Sequence, residues 1–238
     1  RNRNEVVSLE GDIKNLRIAS LQGGVTINAR VGEPYGTIQG TDYVITNGKK
    51  TIRSNGYYAR TANSDVVIGN VNPDWTGGIL NAFSYKNISL SALIDIQQGG
   101  SIFSLDQWYG QATGLYPESV RTNDLGNNVR DPLTADNTSG GVILDGVLAD
   151  GTVNTKRVSG GDYRLGGYAY NPNSMFVYDA SYVKLREVVV TYNIPSKVMA
   201  KTFINSASLS FVGSNLWIIS KNLPYADPEA SQGAGNVQ

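Results

Sequence analysis

The side chains that carry most enzyme chemistry are missing from this chain of 238 residues, which contains neither histidine nor cysteine. Their absence excludes Ser-His-Asp and Cys-His catalysis, histidine or thiolate metal ligation and disulfide bonds. The six glutamates are scattered, and none lies in a recognisable pattern with a second carboxylate, as a glycosidase would need. A glycosidase is therefore the least favoured function, and we expect no enzyme and no catalytic residue.

Aromatic side chains are the best candidates for ligand contact. They lie among Gly, Asn and Ser in the stretch 98–177. Large, rigid rings lose little entropy on binding and can cover sugar rings or peptide backbones. The alternative is that the rings pack this stretch against a partner or against other loops. The candidates are Trp108, Tyr109, Tyr116, Tyr163, Tyr168 and Tyr170.

Two acidic segments invite a calcium-site interpretation, "DGVLADGTVN" at 145–154 and "DNTSGG" at 136–141. Neither has the alternating acidic ligands closed by Glu that an EF-hand loop requires. A glycine-terminated hairpin is the favoured interpretation, and the sequence predicts neither a metal site nor a cofactor. The balance of 20 basic and 20 acidic residues also argues against nucleic acid as a partner.

Four segments carry the pattern of β-strands: 75–85, 88–97, 178–193 and 207–219. In the second of these, one face is apolar and the other is mostly polar, which is the period of a strand with two different environments. We expect the four strands to be antiparallel neighbours in this order along one sheet. The apolar face consists of Ile88, Leu90, Ala92, Ile94 and Ile96, and the opposite face includes Ser89, Ser91 and Asp95.

The connections between these strands alternate between short and very long. Lys86-Asn87 forms a tight hairpin, about eighty residues follow the second strand, and a short link joins the third and fourth. Outer-membrane barrels have short periplasmic turns and long extracellular loops. The pattern therefore favours a barrel whose apolar face meets lipid and whose polar face lines a lumen. A soluble or surface-attached β-sandwich binding module or adhesin stays open as the alternative.

Charged residues are expected on the lumen side of the barrel. Alternation places Tyr182, Lys184 and Arg186 on one face of the third strand, and Asp95 lies on the polar face of the second. An internal ladder of salt bridges is favoured over contact with a substrate. Glu187 breaks the alternation toward the lipid side, which is costly at the bilayer centre. We expect it either above the bilayer or at a β-bulge.

The first 74 residues are rich in turns. Asn47-Gly48 between two β-rich runs predicts a type I′ hairpin. The stretch 3–21 hints at a short helix or an irregular turn. Trp75 follows the turn Asn72-Pro73-Asp74 and is interpreted either as an aromatic anchor at a membrane interface or as a packed turn residue.

Three segments, in order, resemble the late-barrel part of SusC/RagA-type TonB-dependent transporters. They are "NPDWTGGILNAFSYKNISLSALIDIQQGG", "YDASYVKLREVVVTYNIP" and "GSNLWIISKNLPYADPEAS". The resemblance implies an all-β fold, namely the antiparallel C-terminal segment of a 22-stranded transmembrane β-barrel with long extracellular loops. The plug domain and the final strand of that family are not seen, so the chain is expected to be a part of a longer protein.

The resemblance also implies a layout along the chain. Residues 1–74 would be an extracellular loop region with a short hairpin, 75–97 a transmembrane hairpin, and 98–177 a long extracellular loop. Residues 178–219 would form two transmembrane strands with a short periplasmic turn, and 220–238 would begin another extracellular loop. Asp95, Lys184 and Arg186 would face the lumen, where the plug becomes a further contact for them.

The function implied is import of oligosaccharides or oligopeptides across the outer membrane of a Gram-negative bacterium. The implied partners are a SusD-like surface lipoprotein, TonB through the N-terminal parts of the protein, the glycan or peptide substrate, and the lipid bilayer.

Overall fold

The computed structural model describes residues 2–160, 165–200 and 202–230. Two compact units divide the chain. The sheet unit comprises the described residues of Arg1–Arg3, Asn72–Gly100 and Asp179–Pro228, and the loop unit those of Asn4–Val71, Ser101–Tyr178 and Glu229–Gln238. No helix in the described ranges is long and apolar enough to cross a membrane.

One four-stranded antiparallel sheet makes up the sheet unit, and it confirms the predicted strands and their order. The strands are β7 at Trp75–Tyr85, β8 at Ile88–Gln98, β13 at Tyr182–Asn193 and β14 at Ser208–Lys221. The neighbours run β14, β13, β8, β7, so that the strands of the two hairpins meet at β8 and β13.

Both short connections are present. Tyr85 pairs with Ile88 across the Lys86-Asn87 turn, in which Lys86 has a φ of 52°. The link from β13 to β14 begins at Ile194-Pro195 and contains one helical turn, α2 at Ser196–Met199. Pro195 is the N-cap residue of this turn and has an extended backbone, with φ of −56° and ψ of 138°.

The third strand is shorter at its start than the sequence predicted. The segment 178–193 is interrupted at Ala180-Ser181, and the preceding piece, Val177–Asp179, pairs with Ser101–Phe103 instead. The carboxylate of Asp179 accepts the backbone N–H of Ser181 at 2.8 Å, and the Ser181 hydroxyl accepts the N–H of Gly99 at 2.7 Å. This side-chain turn competes with the ladder hydrogen bonds and ends the strand.

The first part of the loop unit contains six strands: β1 at Asn15–Ser20, β2 at Thr26–Arg30, β3 at Thr37–Gly40, β4 at Ile45–Thr46, β5 at Lys49–Lys50 and β6 at Val66–Asn70. Four of them form a second antiparallel sheet in the order β1, β2, β3, β6. Asn47 and Gly48 have φ values of 52° and 76°, which confirms the type I′ hairpin predicted between β4 and β5.

Of the two interpretations of 3–21, the short helix was wrong, and the irregular turn describes only the first part of the stretch. That stretch is irregular up to Lys14 and then forms β1, which pairs with β2 through a register shift near Arg17. Pairing with a partner strand outweighs a weak local preference, because propensity alone contributes only fractions of a kcal/mol per residue.

The connection 98–177 between β8 and β13 contains regular structure that the sequence analysis did not predict. Its helix α1, Leu105–Thr113, starts at Ser104, whose hydroxyl accepts the N–H of Gln107, and ends at Gly114 with a φ of 71°. The short strands are β9 at Ser101–Phe103, β10 at Val142–Ile143, β11 at Arg157–Val158 and β12 at Val177–Asp179.

Two apolar clusters hold the loop unit together, and both join segments far apart in the chain. The first contains Val25, Ile38, Phe103, Trp108 and Phe176. The second contains Ile52, Tyr57, Leu144 and Val158. Because each cluster takes residues from both halves of the unit, 98–177 is packed against the N-terminal region rather than free of it.

Candidate functional site

The sheet of the sheet unit has two chemically different faces. Directly opposed residues of antiparallel strands point to the same side, so the register assigns every side chain to a face. The apolar face is formed by Trp75, Gly77, Ile79, Asn81, Phe83 and Tyr85 of β7; Ile88, Leu90, Ala92, Ile94 and Ile96 of β8; Val183, Leu185, Val188, Val190 and Tyr192 of β13; and Leu209, Phe211, Gly213 and Trp217 of β14.

This apolar face is open to its surroundings. The exposed fraction is 66% for Phe83 and 69% for Phe211, and Ile79, Leu209 and Trp217 are also exposed. A contiguous exposed apolar surface of this kind marks a contact with lipid or with another protein. In a sandwich it would be the best-buried face of the sheet.

Aromatic side chains lie at both ends of the apolar face. Tyr85 and Tyr192 lie near the short turns, and Trp75 and Trp217 lie toward the opposite end. Ten residues separate Tyr85 from Trp75, which is about 33 Å along an extended strand. The ring of Trp75 covers Gly77, 3.3 Å from where a Cβ would be, and Trp75 is nevertheless exposed.

The opposite face carries hydroxyl and charged groups. A row of four hydroxyls crosses it near the short turns, where Ser84 bonds Ser89 at 3.0 Å and Thr191 bonds Ser210 at 2.9 Å. The row is continuous because Ser89 and Thr191 are register partners. Such pairs satisfy polar groups within the sheet and leave a hydrophilic surface at this end.

The three predicted charged residues lie together on this polar face, in ion pairs. Asp95 pairs with Arg186 and also accepts the hydroxyl of Tyr182 at 3.3 Å. Arg186 also donates to the side-chain oxygen of Asn215 at 2.9 Å. Lys184 pairs with Asp227 at 2.5 Å, so the geometry is that of the expected internal ladder of salt bridges.

A β-bulge explains the break in alternation at Glu187. Leu185 pairs with Ile94 and Glu187 pairs with Leu93, so Arg186 is an extra residue relative to β8. A bulge of this kind turns two consecutive side chains to the same side of the sheet. Glu187 therefore shares the polar face with Asp95, and Val188 and Val190 return to the apolar face.

Three of the candidate aromatic residues form one cluster in the loop unit. The ring of Tyr168 lies 5.2 Å from Trp108 and 5.8 Å from Tyr109, in edge-to-face contacts. Trp108 is 8% exposed and belongs to the first apolar cluster, where its ring covers Gly23 so closely that a Cβ there would overlap it. Tyr109 and Tyr168 are exposed, and Tyr109 hydrogen-bonds Gln22.

The other candidates are more dispersed. Tyr170 packs on Tyr57 with ring centroids 4.4 Å apart, beside the second apolar cluster. Tyr116 lies over Gly110 of α1. Burial raises the pKa of Tyr116, and the carboxylates of Asp106 and Glu118 raise it further. Tyr163 falls outside the described residues.

A small cavity in the loop unit is a feature that the sequence analysis missed. It has a volume of about 150 Å³. Burial, followed by the charges of Glu118 and Tyr116, raises the pKa of the nearby Tyr178 to about 12. Helix α1 positions Gln111 at the cavity wall. The sequence signals for this helix were its N-terminal cap at Ser104 and its C-terminal glycine at Gly114. The lining residues are Gln111, Glu118, Ser119, Arg121, Val129, Gly160, Leu165, Gly166 and Met175.

The segment 145–154 is a hairpin, as the favoured interpretation of its acidic residues predicted. Val147 pairs with Val153, and Gly151 occupies the turn with a φ of 87°. The Asp150 carboxylate accepts both the backbone N–H and the hydroxyl of Thr152, which lowers the pKa of Asp150. Its oxygens thus stabilise the turn.

Comparison with known sequences gives relatives of one kind. The chain matches no protein-family model. TonB-dependent receptor P26 of Formosa agariphila is 24% identical over 262 residues, which cover 99% of this chain and 24% of the relative. TonB-dependent receptor P3 of the same organism is 27% identical over 175 residues, or 72% of this chain and 14% of the relative. The chain therefore spans a quarter or less of these relatives.

Comparison with solved structures gives the same fold. The RagAB peptide transporter superposes with a TM-score of 0.57 at 19% identity, and the RagAB peptide importer in its closed-closed state with 0.60 at 20%. Each superposition covers 98% of this chain and 24% of the other. Relatives in sequence and neighbours in fold thus confirm the resemblance read from the sequence: the chain is related, over part of their length, to TonB-dependent transporters of the SusC/RagA type.

Proposed function

We propose that this chain is the late-barrel part of an outer-membrane transporter that imports oligosaccharides or oligopeptides in a TonB-dependent manner. The observation that carries the proposal is the two-faced sheet of the sheet unit. Its exposed apolar face has aromatic residues at both ends, and its opposite face carries hydroxyls and ion pairs. Transmembrane barrels present an apolar band about 25 Å tall between aromatic girdles, with a polar interior.

The dimensions of the sheet support this assignment. The strand length of about 33 Å between Tyr85 and Trp75, tilted by roughly 40° as in outer-membrane barrels, spans about 25 Å along the membrane normal. In this arrangement the turns at Lys86-Asn87 and at 194–207 lie on the periplasmic side. Residues 1–74, 98–177 and 220–238 lie outside the cell, and a 22-stranded barrel closes with strands outside this chain.

The loop unit supplies the proposed contacts with substrate or with a SusD-like lipoprotein. Tyr109 and Tyr168 are suited to this role because their rings are exposed and fixed by the cluster around Trp108. Trp108 itself is buried and acts by positioning them. A buried ring that holds two exposed rings gives a rigid contact surface, which reduces the entropy lost on binding.

A soluble sandwich module is not supported by the sheet unit. Among the described residues of this unit no second sheet is present to cover the apolar face. Its exposed Phe83, Phe211 and Trp217 would cause a soluble protein to aggregate.

Labelling of single cysteines provides a direct test, because this chain has no cysteine of its own and any cysteine elsewhere in the full-length protein can first be replaced by serine. We would place single cysteines at Leu90 and at Ser91 in the full-length protein in a Gram-negative host. A membrane-impermeant maleimide should label position 91 through the lumen, and position 90 should react only with a lipid-soluble reagent. Equal labelling of both positions by the impermeant reagent would contradict the membrane orientation.

Transport itself needs a separate measurement. Cells carrying the full-length protein should take up oligosaccharides or oligopeptides, and the uptake should stop in a strain that lacks TonB. If the cysteines are labelled as expected but no TonB-dependent uptake is detected, the membrane orientation of the sheet stands and the proposed import function is rejected.

A further inference from the structure

The side chain of Tyr109 is held at three places around its ring. Its plane lies at 18° to that of Trp108, with 6.1 Å between the centroids, and the edge-to-face contact with Tyr168 holds a second side. The third contact is at the tip, where the hydroxyl hydrogen-bonds the side-chain amide of Gln22. A ring that is packed only at its sides can still turn about its side-chain bonds. Gln22 therefore fixes the outer end of the ring.

Gln22 belongs to a turn whose backbone is fixed by its neighbours. The N–H of Leu21 donates to the carbonyl of Val25 at 2.8 Å and closes the 3₁₀ turn Gln22–Gly24. Val25 is fully buried in the first apolar cluster, so this end of the turn is anchored in the core. The side chain of Gln22 thus starts from a defined position.

Asn173 anchors the same turn from the far end of the connection 98–177. Its side-chain amide donates to the carbonyl of Gly23 at 3.0 Å, and its amide oxygen accepts from the backbone N–H and the hydroxyl of Thr41, both at 2.8 Å. A backbone N–H can only donate and a carbonyl can only accept, so these partners fix which side of the amide faces the turn. Every contact in this series joins two residues of the loop unit.

We propose that Gln22 is a positioning residue for ligand binding: its hydrogen bond holds the ring of Tyr109 in the orientation in which Tyr109 and Tyr168 contact a transported oligomer. The inference rests on the proposed function and adds the residue that fixes this contact. The matching ligand is a flat unit with an apolar face and a hydrogen-bonding edge, which a sugar ring and a peptide unit both offer.

An oligomer fits this role better than the lipoprotein does. The orientation of a single ring has a large effect on a small ligand, which touches few side chains. It has a small effect on a protein interface, where each partner buries about 800 Å². Association with the lipoprotein should therefore not depend on Gln22.

Gln22→Met tests the inference because methionine keeps the length of the side chain and removes the hydrogen bond. Gln22 is exposed, so the loop unit should stay folded and limited proteolysis within 98–177 should be unchanged. Binding is measured on the purified full-length protein with random hexapeptides and with oligosaccharides of starch, cellulose and chitin. For the probes that the wild-type protein binds, we expect about fivefold weaker binding, which corresponds to the loss of one hydrogen bond.

Two further variants show whether Gln22 acts through the hydroxyl of Tyr109. Gln22→Glu keeps an acceptor for this hydroxyl and should bind close to the wild-type level. Gln22→Met combined with Tyr109→Phe should bind no more weakly than Tyr109→Phe alone, because the hydroxyl that Gln22 holds is already gone. Asn63→Leu is the matched control, since Asn63 is an exposed amide of the loop unit and leucine has a similar shape. It should leave binding unchanged.

Three results would show a structural role instead and overturn the inference. They are additive losses in the double variant, equal losses for the methionine and glutamate variants of Gln22, and new cleavage within 98–177 in Gln22→Met. Loss of the copurifying lipoprotein with unchanged binding of the oligomers would also overturn it, in favour of a protein interface at Tyr109.

The same measurements separate this inference from the proposed function. If the wild-type protein binds and imports an oligomer and Gln22→Met binds it equally well, the positioning role is refuted and the import function stands. If the wild-type protein neither binds nor imports any of the probes, both are refuted.

Discussion

Lys184 shows how a single charged residue can be held inside the sheet unit. It is 3% exposed, and its ammonium lies between Asp227 and the ring of Tyr182, 4.7 Å from the ring centroid. The side chain of Asp227 is far more accessible, at 41%. The two ends of the ion pair therefore differ: a lone Asp227 could be hydrated, whereas a lone Lys184 could not.

This asymmetry predicts unequal effects of removing each partner. Asp227→Asn should lower the free energy of unfolding by about 2–4 kcal/mol, because it leaves a desolvated charge without its partner. Lys184→Met should cost about 1 kcal/mol or less, since methionine fills the same space and Asp227 turns to water. Denaturant unfolding of the detergent-solubilised protein measures both changes.

The double variant and a surface control complete this test. Lys184→Met with Asp227→Asn should resemble Lys184→Met alone, because the unpaired buried charge is gone. Lys197→Met, at an exposed position of α2, should be neutral. Additive losses in the double variant would show that the two residues act separately.

At the scale of elements, β8 is the strand whose environment the sequence defines best. Its alternation matches the observed register on both sides, and Ala92 lies opposite Asn81 and Val188 in the middle of the apolar face. Ser91, one residue away, belongs to the polar face. Adjacent positions on this strand thus differ in the solvent they meet.

Arginine at these two positions should therefore have opposite outcomes. Ala92→Arg should destabilise the assembled protein by about 2–4 kcal/mol, which is the cost of arginine at the lipid-facing midplane of a barrel. Ser91→Arg should be tolerated because its side chain reaches the aqueous lumen. Refolding into lipid vesicles from urea measures both, and similar effects would refute the orientation of β8.

Local signals explain which elements could be predicted. The turns at Lys86-Asn87 and Asn47-Gly48 and the alternation of β8 are properties of adjacent residues, and all three are present. The bulge at Arg186 was one of two explanations for the misplaced Glu187, and only the register of β13 against β8 selects it. Helix α1 had a local signal, the Ser104 cap three residues before Gln107, among turn-forming residues that obscured it.

The loop unit could not be predicted because its contacts are non-local. Asn173 accepts hydrogen bonds from the backbone and hydroxyl of Thr41 and donates to the carbonyl of Gly23, which lies 150 positions away. Phe103 and Trp108 pack with Val25 and Ile38. A stretch of Gly, Asn and Tyr has no period that reveals such partners, so 98–177 resembled an unstructured connection.

At the scale of the whole molecule, the two units differ in how they depend on 98–177. Strands β7, β8, β13 and β14 of the sheet unit take no residue from it except Gln98 at the end of β8. In contrast, the loop unit takes part of both apolar clusters from it. A change inside this stretch should therefore affect one unit and spare the other.

Replacement of Phe103 by alanine provides the first test of this division. Phe103 is fully buried in the first cluster, so the substitution should cost the loop unit about 3–5 kcal/mol. Limited proteolysis should then cut within 98–177, while the heat-shifted mobility of the assembled barrel is unchanged. Loss of that mobility would show that the sheet depends on the loop unit.

A deletion separates assembly from ligand handling. Residues 122–159 can be replaced by a short Gly/Ser linker, because Arg121 and Gly160 both lie against Val129 and the new ends are close together. The sheet should still assemble, since each doubling of loop length changes the free energy of loop closure by only about 0.6 kcal/mol.

The deletion removes Leu144 and Val158 from the second apolar cluster. Tyr57, which positions Tyr170, then lacks its support, and binding should fall. We expect normal assembly with a sharp loss of oligomer uptake or of lipoprotein association. If the deletion variant assembles, imports oligomers and binds the lipoprotein as the wild-type protein does, residues 122–159 have no part in transport and only cover the surface.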